Sequence, residues 1–274
     1  MLRKLLKYDL KSSFGVMGLL YIGLVLFYAL GLLFREIGVA QMATSMMIVL
    51  ILLGVAMIII AIVVVVMRFH KGLFGAEGYL MQTLPVGKGY LIVSKAITAY
   101  LMLLAGIIGL LLAVVGAMHL TDTDALKGMI DALFGGMLLP LVIYSGAAAL
   151  IQLGMSISTV YAAITLANTR VFIRNNIVYA VVFYFVGNMA VSMLELAGML
   201  FIPLGLQLTE SGGVNFVFDT TFRSLMELNG SQVSDTAMLT GMNFGLGSML
   251  VDAAATVGLL LLTRWLMTHK SSVK

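Results

Sequence analysis

The chain has 274 residues, 61% of them apolar and 10% charged, against about 25% charged in soluble domains, so lipid rather than water is its expected main solvent. With no cysteine, disulfides, thiolate metal sites and cysteine nucleophiles are excluded. The net charge of +4 carries information mainly through its placement, because Lys and Arg of a membrane protein collect on the cytoplasmic side.

The first stretch, MLRKLLKYDLKS, places Leu2, Leu6 and Leu10 at i, i+4 and i+8 with Leu5 beside them, and Lys4, Lys7 and Lys11 on another face. A basic helix with one leucine face lies in the plane of the membrane interface, and residues 1–13 are expected to form such a helix. Six apolar stretches then meet the roughly 20-residue requirement of a spanning helix: 14–34, 46–67, 96–118, 133–160, 177–197 and 243–264. The first is followed by Arg35-Glu36 with no small-residue cleavage site and reads as a retained anchor. No low-complexity linker or internal repeat divides the sequence, so one transmembrane domain over residues 1–274 is expected.

Basic residues alternate between the loops. Arg3, Lys4, Lys7 and Lys11 precede the first span, and Arg68, Lys71, Lys88 and Lys95 lie between the second and third. Arg170 and Arg174 separate the fourth and fifth, and Arg264, Lys270 and Lys274 close the chain. The opposite side holds only Arg35, Lys127 and Arg223, with most of the acids. This bias predicts a multi-pass protein of a prokaryotic plasma membrane with both termini cytoplasmic.

The fifth span ends unusually. From Ile177 to Glu195 a helix covers about 27 Å, which brings Glu195 to the outer interface. Residues 196–206 (LAGMLFIPLGL) are apolar again, too short to span, and contain Pro203. They are expected to form a re-entrant or interfacial segment in the outer leaflet. The polar residues 207–241 follow as the largest external loop. Gly241 and Gly245 then make a G-x-x-x-G that permits close helix contact at the start of the sixth span.

Few polar groups fall within the spans. Asp252 lies roughly 18 Å from Arg264 along a helix, Asn188 at a similar depth, and Gln152 slightly closer to the cytoplasm. An intramembrane carboxylate is a candidate functional group. Asp252 either lines a translocation or proton-linked path, or locks packing through a hydrogen bond to Asn188 or another helix. The lack of a relay partner favours the lock.

Enzyme motifs are absent. There is no G-x-x-x-x-G-K-[ST], no H-E-x-x-H and no G-x-S-x-G, and His70, His119 and His269 are far apart. The sequence offers no catalytic residue and no metal site, and any ATP-driven work would need a partner chain.

The polar island 68–95 is the most informative segment. Within it AEGYLMQTL reads as a short helix, with Glu77 in the first turn where an acid suits the helix dipole and Pro85 as its stop. Glu77-Gly78, Leu84-Pro85, Lys88 and Ser94-Lys95 occur in that order. This pattern resembles the permease subunits of ATP-binding-cassette exporters of the type-2 class. The six spans, cytoplasmic ends, interfacial N-terminal helix and broken outer region agree with it. The expected fold is all-α integral membrane: six transmembrane helices, an N-terminal interfacial helix, a cytoplasmic coupling helix, and a re-entrant outer segment between spans five and six.

The resemblance implies a transport subunit rather than an enzyme. Glu77, Gly78, Tyr79, Leu80, Leu84 and Pro85 would form the coupling helix, seated on a separate cytoplasmic ATPase. The complex would hold two ATPase subunits, which carry ATP and Mg, and a second permease copy or a paralogue; this chain itself would hold no cofactor. The first, second and fifth spans would line the pathway, with Phe27, Asn188 and Glu195 as candidate lining residues. An apolar, Met-rich passage suits an amphipathic substrate such as an antimicrobial peptide, a drug or a lipid-like molecule. Two alternatives stand beside this reading: a secondary transporter driven by an ion gradient through Asp252, and a non-transporting scaffold or immunity protein. Membrane lipid is a partner in every case, and nucleic acid in none.

Overall fold

A computed structural model describes residues 2–74, 87–135, 138–169, 176–208, 214–223 and 243–269. Among them are six helices long and apolar enough to cross a membrane, one shorter helix and one small sheet. The described residues fall into two compact units divided between Met129 and Ile130.

The first unit contains α1 (Leu2–Glu36), α2 (Ala40–Phe74) and α3 (Lys88–Thr121), followed by α4 (Thr123–Phe134), within which the division falls. Each of the first three is about 50 Å long, well past the roughly 30 Å of a bilayer's hydrocarbon core. The spans read from hydropathy therefore lie inside longer helices. Lys, Arg and Leu are good helix formers, and no proline separates the polar flanks from the apolar stretches. For the same reason α1 is continuous from Leu2 to Glu36, and residues 1–13 are not set off as a separate interfacial helix.

Gly38 turns the chain between α1 and α2. Its φ of 83° is a conformation that costs other residues about 1–2 kcal/mol. In this conformation the Gly38 N–H donates to the Arg35 carbonyl at 3.1 Å and the Val39 N–H to the Phe34 carbonyl at 3.0 Å. Two carbonyls of the last turn are thereby satisfied. Asp122 does the corresponding work at the start of α4, which hydropathy did not reveal. Its Oδ1 accepts from the N–H of Asp124 at 2.9 Å and of Ala125 at 3.1 Å, capping the helix.

α1, α2 and α3 pack on one another, with Met17, Leu50, Met57 and Phe69 fully buried between them. The outward faces are just as apolar: Leu19, Ile22 and Leu52 are 72%, 66% and 63% exposed. A helix that is hydrophobic all round suits lipid.

The second unit contains α5 (Leu139–Ala167), α6 (Asn176–Phe201), β1 (Gly205–Leu208), β2 (Val214–Val217), β3 (Asn243–Gly245) and α7 (Gly247–His269). Two expected spans shift. The fourth runs over Leu139–Ala167 and not 133–160, because Pro140 fits the first helical turn and favours a start there. The sixth begins at Gly247 and not 243, because Asn243–Gly245 is drawn into the sheet.

The re-entrant segment expected over 196–206 does not form. α6 continues through Glu195 to Phe201, Pro203 lies just past its end, and Gly205–Leu208 pairs as the central strand of the antiparallel order β2-β1-β3. Pairing on both sides satisfies the backbone of Gly205 to Gln207. Most of the expected external loop 207–241 lies outside the described residues; its described part supplies the end of β1, all of β2 and the short stretch to Arg223.

α5, α6 and α7 pack as a trio. α6 and α7 approach most closely through glycines: a Cβ on Gly247 would collide with the Gly198 carbonyl, and one on Gly198 would lie 3.1 Å from the Gly247 carbonyl oxygen. Of the expected pair, Gly245 lies in β3 and also comes close to α6, a Cβ there falling 2.7 Å from the Met199 carbonyl oxygen; Gly241 is outside the described residues.

Candidate functional site

Polar groups meet within the apolar packing of both units. In the first, Asp9 sits on the leucine stripe of α1, spaced i, i+3, i+4 and i+7 with Leu2, Leu5 and Leu6. Lys95, in the early turns of α3, reaches the Asp9 carboxylate with Nζ at 2.8 Å from Oδ1, the two side chains being only 10% and 15% exposed. From α2, Arg68 Nη1 donates to the Asp9 carbonyl oxygen at 3.1 Å. Gly72 makes room for the lysine: a Cβ there would lie 3.5 Å from Nζ. One residue of α1 is thereby tied to the end of α2 and the beginning of α3.

Those two ends carry the segment between Phe74 and Gly87. Glu77, Gly78, Tyr79, Leu80, Leu84 and Pro85, the expected coupling residues, lie outside the described residues. Farther along the unit, α1 is fastened to α3 again: Tyr21 Oη donates to the Ala105 carbonyl at 2.6 Å, Arg35 Nη1 to the His119 carbonyl at 2.6 Å, and Tyr28 Oη lies 3.1 Å from His119 Nδ1. Phe27 is half-buried on α1.

The second cluster joins α5, α6 and α7. Gln152 Nε2 donates to Glu195 Oε1 at 3.4 Å, and one turn beyond Glu195 a Cβ on Gly198 would meet Val251, the residue before Asp252. Asp252 is 5% exposed, and its Oδ1 is buried with no hydrogen-bond partner. Glu195 is half-buried and Gln152 exposed. By helical rise Glu195 lies about 9 Å from the Phe201 end of α6, Asp252 about 7 Å from the Gly247 end of α7, and Gln152 about 20 Å from the Leu139 end of α5. Nearer that end Tyr144 of α5 donates to the Gly245 carbonyl at 3.0 Å.

Glu195 and Asp252 lie at similar distances from the adjoining ends of α6 and α7. α7 runs on to His269, which puts Asp252 about 25 Å from that end. The hydrogen bond between Asp252 and Asn188 expected from the sequence does not form: Asp252 Oδ1 has no partner, and Asn188 lies two turns before Glu195 on α6. Asp9 was missed altogether, although an acid inside a leucine stripe was a readable sign that it needs a buried cation.

Six long apolar helices with apolar outer faces define a multi-pass helical membrane protein. Comparison with known proteins goes no further: no family model matches the chain, and neither curated proteins nor solved structures give a match.

Proposed function

We propose that the chain is the membrane-spanning permease subunit of an ATP-driven exporter of the type-2 ATP-binding-cassette class. It would sit in a prokaryotic plasma membrane with both termini cytoplasmic. The observation that carries this reading is the Asp9 tie at the base of residues 75–86. A short helix ending at Leu84-Pro85, docked on a cytoplasmic ATPase, would move the ends of α2 and α3. The Asp9–Lys95 ion pair and the Arg68 hydrogen bond would pass that movement to α1, one of the pathway helices the resemblance names. ATP and Mg are held by two ATPase partners, and a second permease copy or a paralogue completes the passage. Phe27, Asn188 and Glu195 are its candidate lining, and the substrate class is amphipathic: peptide, drug or lipid-like.

The test is ATP-dependent export from vesicles containing this chain and its ATPase. Glu77→Arg, or a proline placed within residues 78–83, abolishes export while the protein remains in the membrane. Undiminished export by both variants contradicts the reading. One observation favours a second reading, an ion-gradient-driven transporter: the buried Asp252, whose Oδ1 has no hydrogen-bond partner. That reading requires transport by the chain alone, without ATP, lost in Asp252→Asn.

A further inference from the structure

We infer that the three-stranded sheet of the second unit seats in the membrane interface, with its apolar face and the overhanging Phe216, Phe218 and Phe222 in lipid at the ends of α6 and α7. The inference rests on the membrane-spanning nature of the helices and not on the exporter reading.

The strand register gives the sheet two unlike faces. Leu206 of β1 pairs with Phe216 of β2 and with Phe244 of β3, and Gln207 pairs with Asn215. Directly paired residues project from the same face, and successive residues from opposite faces. Phe216, Leu206 and Phe244 therefore make one apolar row, while Gln207 and Asn215 lie on the other face.

The apolar row is turned toward the helices. The Phe244 ring lies 5.9 Å from that of Tyr144 on α5, and Phe244 and Leu206 are half-buried. Among the described residues β2 is an edge strand, so Phe216 continues the row outward, and it is 75% exposed. It points the same way as Phe244 with most of its surface uncovered, into what surrounds the helices. Around a spanning helix that medium is lipid.

Helix length puts the sheet at the right height. α6 has 26 residues and α7 has 23, about 39 and 35 Å against about 30 Å of hydrocarbon. Centred and upright, their ends lie about 2–5 Å past the hydrocarbon, within the headgroup layer. Three residues separate Phe201 from Gly205, and one separates Gly245 from Gly247, so the sheet begins at that level. The apolar outer surface of α6 runs on into it. Leu194 and, two turns on, Phe201 are exposed, and the Phe201 ring stacks on that of Phe222 at 6.1 Å. Phe218, between Phe216 and Phe222 in sequence, is 81% exposed. The physics that lays an amphipathic helix in this layer, apolar side in the acyl boundary and polar side in water, applies equally to an amphipathic sheet.

Asp219 and Arg223 pair at 4.0 Å, so the described part of the sheet end adds no net charge. Apolar contact draws it to the membrane, and its seating should not depend on anionic lipid.

The experiment uses the full chain in phosphatidylcholine nanodiscs. Because the chain has no cysteine, Phe216→Cys and Asn215→Cys each give a single labelling site, one per face. Quenching of an attached fluorophore by brominated phosphatidylcholine is compared with quenching by iodide in the water. Fluorescence at position 216 is expected to be lost to brominated lipid and spared by iodide, with the reverse at position 215, whether or not anionic lipid is added. Loss to iodide at both positions overturns the proposal, because the sheet then stands in water. Protection from both quenchers at position 216 also overturns it, because protein is then the cover. Should Phe216→Cys fail to fold, Phe218→Cys takes its place under the same criteria.

Discussion

Lys95 of α3 reaches the Asp9 carboxylate of α1 at 2.8 Å, with both side chains largely withdrawn from solvent. The Asp9 carbonyl also accepts from Arg68 of α2 at 3.1 Å, so a single turn of α1 holds the ends of both its neighbours.

Removing one partner of a buried ion pair strands the other charge, at a cost of about 3–5 kcal/mol when burial is complete. Asp9→Ala or Lys95→Met alone is expected to destabilise the protein by about 3 kcal/mol. The double variant Asp9→Leu with Lys95→Met recovers most of that loss. Thermal unfolding in detergent checks it; single and double variants that melt alike would show that the pair is not coupled.

Glycine acts differently at two positions of α7. A Cβ at Gly247 meets the Gly198 backbone, whereas one at Gly258 meets nothing within 4 Å. Gly247→Ala is expected to cost about 1–3 kcal/mol through overpacking. Gly258→Ala is expected to be neutral or to stabilise by up to about 1 kcal/mol, as in other helices. The melting temperatures of the two variants should move apart.

Loss of the Asp122 cap reads out locally. Asp122→Ala frees the amides of Asp124 and Ala125, which now donate to its carboxylate. A cap contributes about 1 kcal/mol, so amide exchange in the first turn of α4 should quicken about fivefold, with α1 to α3 unchanged.

Membrane immersion is tested by spin labels at two exposed positions of the first unit. Ile22 is 66% exposed on a wholly apolar face, and the Lys127 side chain 75% exposed on a polar helix. A label at Ile22 should be reached by dissolved oxygen and not by a water-soluble nickel complex, because a bilayer concentrates the first and excludes the second. A label at Lys127 should show the reverse.

Much of the helical framework was legible because apolar length alone identifies a spanning helix. The ends were not, because hydropathy falls at a membrane surface while helical backbone continues through Lys4, Lys7 and Lys71. Asn243 to Gly245 looked like the start of a helix; the missing information was a strand partner, Gly205 to Gln207, far away in sequence. The candidate site was half legible. Asp252, Glu195 and Gln152 each drew notice as polar groups in or beside apolar spans. Their convergence depends on the relative heights of three helices, which shifts of a few residues in the assigned ends obscure. Asp9 was hidden by its lysine neighbours in sequence, while the lysine it needs is on α3.

The central claim, that another protein's ATP hydrolysis drives this membrane chain through residues 75–86, is tested most directly by affinity purification of the tagged full chain from its native membranes in mild detergent. The account predicts that an ATP-binding-cassette ATPase is retained in stoichiometric amount with the wild type and lost with Glu77→Arg. Recovery of the folded wild-type chain without any ATPase, together with transport in vesicles lacking ATP, would contradict it.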